Sequence, residues 1–81
     1  MSIDTACSSS LVTLHFAMNA MRRPGGCNKG LSAGVNLPMN WETSALFIGA
    51  AMTSADGRCK ALDASADGYV RAEACVAFGL R

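Results

Sequence analysis

Hydrophobic residues recur at three- and four-residue spacing through Leu11, Leu14, Met18 and Met21, and Val12 and Phe16 widen the stripe. That period belongs to an α-helix with a broad apolar face. Ser8, Ser9 and Ser10 stand before it, and small polar residues favour helix starts. Arg22 and Arg23 suit the negative end of the helix dipole, and Pro24-Gly25-Gly26 stops the run. The pattern predicts a helix from about Ser8 to Arg22, buried on much of its circumference. Ser2 to Ala6, just before it, reads as the tail of a strand. Gly30 to Leu37 (GLSAGVNL) reads as a short apolar strand closed by Pro38, and Trp41 to Met52 as a second helix. Thr53 to Asp67 is loop-like, and Tyr69 to Arg81 reads as one or two strands. The order strand, helix, strand, helix, loop, strand favours a layered α/β arrangement. Both ends break off inside apparent strands, so a fragment of a larger domain is expected.

Composition sharpens that expectation. The chain has 81 residues, 51% of them hydrophobic and only 16% charged, with a mean hydropathy of +0.24. So short a chain buries only about 60–65% of its unfolded surface. The apolar content is rich for a free-standing domain of this size, so the chain is expected either to pack against something or to be a piece of a larger core. The formal charge of +1 provides no electrostatic footprint for nucleic acid or an anionic membrane. No apolar stretch reaches the roughly 20 residues that span a bilayer.

Cysteines stand at 7, 27, 59 and 75, without a Cys-x-x-Cys pair, and His15 is the single histidine. That set argues against a zinc site. Met1-Ser2-Ile3-Asp4 does not look like a secretory leader, so a reducing, cytoplasmic setting with free thiols is expected.

Cys7 lies in "DTACSSS", Asp4 to Ser10, where a strand-to-helix corner is predicted. A cysteine in the first turn of a helix faces unpaired backbone N–H groups and the positive end of the dipole. Both favour the nucleophilic thiolate, and the N–H groups can help hold an oxyanion. Position alone leaves a second reading open, a small buried side chain, because free cysteine is often buried. Cys27, Cys59 and Cys75 read as structural or incidental. His15 follows Cys7 by eight residues on the same predicted helix. At that separation it is about 12 Å away along the axis, too far to act as the base of Cys7. A catalytic Cys7 would need its proton-handling partners from outside these residues.

A second motif, "DASADG" from Asp63 to Gly68, matches the opening of a calcium-binding loop, with oxygens at Asp63, Ser65 and Asp67. The twelfth place, which needs a bidentate acid, falls on Ala74, and Glu73 is one residue early. A turn set by Asp67-Gly68 is the preferred reading, and no metal site is assigned. Arg58 and Lys60 read as a solvated loop, and Trp41 and Phe47 as core.

Taken together, three stretches carry a resemblance. "DTACSSSLVTLHFA" is similar to the active-site segment of β-ketoacyl synthases, especially the ketosynthase domains of modular (type I) polyketide synthases. "LSAGVNL" resembles the strand that follows it, and "SADGRCKALDASADGYVRAEAC" the loop and strand further on. The resemblance covers nearly the whole chain, 1–81, as a partial ketosynthase domain truncated at both ends. It implies part of a thiolase-like fold, layered αβα, mostly from the first of two related halves. It also implies a homodimer, with Ser2 to Ala6 near the dimer axis.

The implied chemistry is decarboxylative Claisen condensation in polyketide or fatty acid biosynthesis. Cys7 matches the family nucleophile and accepts an acyl group from a phosphopantetheine thioester. A malonyl thioester on acyl carrier protein supplies the extender. The Cys7 N–H is one oxyanion donor; the second donor and two catalytic histidines lie downstream of Arg81. His15 matches a non-catalytic position. No cofactor is bound directly, and nucleic acid and membrane are not partners. The chain departs from the family where Ala33, Ala72, Ala74 and Val76 replace glycines, which raises the prospect of strain where backbones approach. The alternative to an enzyme fragment is an inactive remnant kept for structure or docking.

Overall fold

The computed structural model describes residues 1–81. The chain forms two compact units, one of Met1–Val35 with Ala74–Arg81 and the other of Asn36–Glu73. The regular elements are α1 (Ser9–Arg22), β1 (Gly30–Asn36), α2 (Trp41–Gly49) and β2 (Ala74–Leu80), with a 3-10 turn at Ala6–Ser8 before α1.

In the first unit, α1 lies along β1. Ser10, at the head of α1, sits against Gly34, and Met21, near its end, sits against Gly30. The helix therefore runs opposite to the strand. Gly30, Ser32 and Gly34 are the alternate β1 residues drawn inward, and Ser32 is only 4% exposed. Small side chains at this two-residue period let the helix approach closely. β1 and β2 form a two-stranded sheet. A Cβ on Gly30, the first residue of β1, would lie 3.7 Å from the side chain of Leu80, the last of β2. The strands thus run antiparallel.

In the second unit, Asn40 caps α2 by accepting a hydrogen bond from Glu42 N–H at 2.9 Å. The helix stops at Gly49, three residues before the expected Met52. Ala51 adopts a left-handed φ of 53°, Ala51 N–H donates to Ile48 C=O, and Met52 N–H donates to Phe47 C=O at 3.1 Å. These paired bonds satisfy the last carbonyls and turn the chain away. Phe47 meets Tyr69 edge-on, with ring centroids 6.4 Å apart. The guanidinium carbon of Arg71 lies 4.6 Å from the Phe47 ring centroid, a cation–π contact. A parallel bridge pairs Thr53 with Tyr69 at the two ends of the loop.

Several expectations change. Residues 1–5 form no strand: the sheet holds β1 and β2 alone, and neither open edge takes up these residues. Tyr69 to Arg81 supplies one strand, within the one or two expected, and it begins only at Ala74. No residue of α1 is buried: Leu14, Ala17 and Met21 are half-buried, while Leu11 is 70% exposed. Trp41, expected in the core, is 77% exposed. The physical reason is shared. A two-stranded sheet covers one side of one helix, and no hydrophobic side chain of the chain is fully buried. The replaced glycines cause no crowding within the chain. Ala33, Ala72, Ala74 and Val76 are exposed, none has a positive φ, and the close approaches fall on retained glycines, Gly26, Gly34 and Gly68.

Candidate active site

Cys7 occupies the middle of the 3-10 turn and is exposed. The turn is tied by its own side chains. Asp4 Oδ1 accepts from Ala6 N–H at 3.0 Å. Ser8 Oγ reaches back to Thr5, donating to its C=O at 2.9 Å or to its Oγ1 at 2.8 Å. Ser9 Oγ accepts from Thr5 N–H at 2.8 Å and donates to Ala6 C=O at 2.7 Å. Ser9 N–H also donates to Ala6 C=O. Ala6 itself is left-handed, with φ 55°, a conformation that a residue with a Cβ adopts at a cost of roughly 1–2 kcal/mol.

The amides around the thiol divide clearly. Those of Thr5, Ala6, Ser8 and Ser9 all donate within the turn, and that of Cys7 donates to none of these acceptors. The corner thus offers an exposed thiol and a free N–H on the same residue. That pair is the minimum for accepting an acyl group and steadying the oxyanion formed on the way.

The remaining sequence candidates lie apart from this turn. His15 is exposed on α1, and its Nε2 is 2.9 Å from Asn19 Nδ2, one helical turn further from Cys7. Cys27 and Cys75 are exposed free thiols, and Cys59 accepts a hydrogen bond from Val70 N–H at 3.3 Å. Sequence reasoning missed the Ser9 bridge and the left-handed Ala6. Asp4 and Ser9, which flank the turn and are prone to local backbone bonds, were the available signal.

The acidic motif closes a loop. Asp63 Oδ1 accepts from Ser65 N–H at 2.8 Å and from Ser65 Oγ at 2.7 Å. Asp67 turns elsewhere, toward Lys60 Nζ at 3.1 Å and Ser54 Oγ at 2.9 Å. Lys60 also pairs with Asp56 at 3.3 Å, so it bridges two carboxylates instead of standing solvated. Hydrogen bonds from Ser54 and Lys60 hold the Asp56 carboxyl below its ordinary range. Lys60, then Ser54, do the same for Asp67. The Ser65 amide and hydroxyl lower Asp63. Asp67 raises Lys60 in return.

Cys7 thus stands exposed in the turn at the head of α1. Comparison of the sequence with known families is specific: the description "Beta-ketoacyl synthase, N-terminal domain" matches residues 1–81. The chain belongs to the β-ketoacyl synthase family. It is 51% identical over 76 residues to a fatty acid synthase of the goose Anser anser anser, covering 94% of this chain and 21% of that protein. It is 44% identical over 80 residues to the erythronolide synthase EryA2 of Saccharopolyspora erythraea, covering 99% of this chain and 2% of the relative. A reducing polyketide synthase of Alternaria alternata, AFT16-1, is 44% identical over 81 residues, which are 3% of its length. The chain therefore spans a small part of each relative. No helix is long and apolar enough to cross a membrane.

Proposed function

We propose that Cys7 is the acyl acceptor of a decarboxylating condensation, and that the 81 residues contribute the nucleophile corner of a ketosynthase. The Cys7 thiolate attacks the carbonyl of an acyl thioester. A C–S bond forms, and the phosphopantetheine thiol of the carrier protein leaves. A malonyl-type thioester then loses CO₂, and its carbanion attacks the acyl-Cys7 carbonyl. The new C–C bond expels the Cys7 thiolate and yields a β-ketoacyl thioester. During both attacks the Cys7 N–H donates to the carbonyl oxygen as it gains charge.

The observation that carries this reading is the free N–H and exposed thiol of Cys7, in a chain matched by the family from end to end. The two family histidines and the second oxyanion donor are supplied by chain outside these residues. So are the remaining layers of a thiolase-like fold and the dimer partner. A reducing cytoplasmic setting suits a reaction that needs a free thiol. Polyketide and fatty acid synthesis remain equivalent at this site, since relatives of both kinds match it.

The test is a hybrid in which the matching segment of the goose relative is replaced by this chain's residues. The hybrid is expected to incorporate malonyl carbon into a β-ketoacyl product. Cys7→Ala is expected to abolish the product, and Cys27→Ala, Cys59→Ala and Cys75→Ala to retain it. Retention of product by Cys7→Ala overturns the reading.

A further inference from the structure

We propose that Ser9 is a positioning residue for Cys7: its hydroxyl fixes the Ala6–Cys7 peptide so that the Cys7 N–H points out of the turn, toward the oxyanion. The inference rests on Cys7 being the acyl acceptor. Its physical basis is the planarity of the peptide bond. In a trans peptide the C=O of one residue and the N–H of the next point in opposite directions. The Ala6 C=O receives two hydrogen bonds from Ser9, one from Oγ at 2.7 Å and one from its N–H. Both pull the carbonyl into the turn toward α1. The Cys7 N–H, on the same peptide plane, is therefore turned away.

The same hydroxyl accepts from Thr5 N–H at 2.8 Å. It thus grips the chain on both sides of Ala6, the residue whose left-handed φ of 55° the turn requires. Rotation of the Ala6–Cys7 peptide runs about ψ of Ala6 and φ of Cys7, and the two bonds to the Ala6 carbonyl restrain it. Such a rotation would turn the Ala6 carbonyl outward, where it would meet the developing oxyanion with a negative dipole in place of a donor. Ser9 opposes this rotation from outside the reacting atoms. Ser8 does not share the task, because its hydroxyl bonds only to Thr5. Ser10 does not share it either, since its hydroxyl lies against Gly34.

The experiment uses the hybrid enzyme and follows acylation of Cys7 by an acetyl thioester of pantetheine, by mass mapping under single-turnover conditions. Ser9→Ala is expected to slow the acylation rate constant roughly tenfold or more, the scale of losing a hydrogen bond that holds a reacting geometry. Saturation by the thioester should be unchanged. The isosteric pair Ser9→Thr and Ser9→Val separates hydroxyl from bulk and serves if Ser9→Ala does not fold: Thr retains the rate and Val loses it. Acylation within twofold of the starting rate in both Ser9→Ala and Ser9→Val overturns the role of Ser9. Equal slowing in Ser9→Thr and Ser9→Val, tracking a lowered melting temperature, also overturns it. Absence of acylation with Ser9 in place overturns the assignment of Cys7 itself, and the role of Ser9 with it.

Discussion

Ser10 seats the head of α1 on Gly34 of β1: a Cβ added to Gly34 would collide with the Ser10 hydroxyl and lie 3.1 Å from its Cβ. The contact is two residues from the end of the turn that carries Cys7. Gly34→Ala is expected to destabilise the domain by about 1–3 kcal/mol, the usual range for overpacking. Ser10→Ala in the same chain should return part of the loss by removing the hydroxyl. Urea midpoints of the two variants check this, and an unchanged midpoint for Gly34→Ala alone would contradict the contact.

Ala51 ends α2 in a conformation that favours glycine, with φ 53°. Ala51→Gly is expected to stabilise the second unit by about 1 kcal/mol, because the left-handed penalty of the Cβ disappears. A melting curve of the hybrid enzyme tests the sign, and a lowered midpoint would contradict it.

The ionic bridge of the loop predicts a pH window. Asp56 and Asp67 lie below the ordinary value of 3.8, so the stability they contribute is present above 3.8 and lost as pH falls through their lowered values. Lys60 is raised above 10.5, so its contribution is present below 10.5 and lost as pH rises through its raised value. The Ala55 amide, which donates to Asp67 Oδ2 at 3.4 Å, reports the loop by NMR. Its shift is expected to stay flat between the two limits, with an acid midpoint below 3.8 that rises in Lys60→Met. An acid midpoint insensitive to Lys60→Met would remove the bridge from the account.

The 81 residues by themselves are expected to form no β-ketoacyl product and to self-associate. Leu11, Leu31, Trp41 and Leu46 are each at least 70% exposed, more apolar surface than a lone small domain leaves bare. Light scattering at rising concentration checks this. A monodisperse monomer with cooperative melting would be the contrary result.

How much of this was legible follows the range of each interaction. The stripe from Leu14 to Met21 and the Pro24-Gly25-Gly26 stop are local, and α1 ends at Arg22 as they predict. β1 likewise begins at Gly30, as its apolar run predicts. Cys7 at a helix head was legible from the serines after it. The left-handed turns at Ala6 and Ala51 were not, because alanine ordinarily favours continuing a helix and tertiary or capping bonds override it here. The Lys60 bridge was hidden because its partner Asp67 lies seven residues away across a loop, where no periodicity operates. Burial was overestimated at Trp41 because sequence shows how apolar a residue is, and not whether anything stands over it.

The loop between Ser54 and Asp67 is pinched shut at its base by their 2.9 Å hydrogen bond, while its tip at Leu62 projects fully into solvent. The base is held independently of the tip, and lengthening an already closed loop adds only about 0.6 kcal/mol per doubling. The tip is thus a natural port for inserted sequence. An epitope or a fluorophore-binding peptide placed after Leu62 would ride outside the fold, leaving the strand that follows Gly68 in its register.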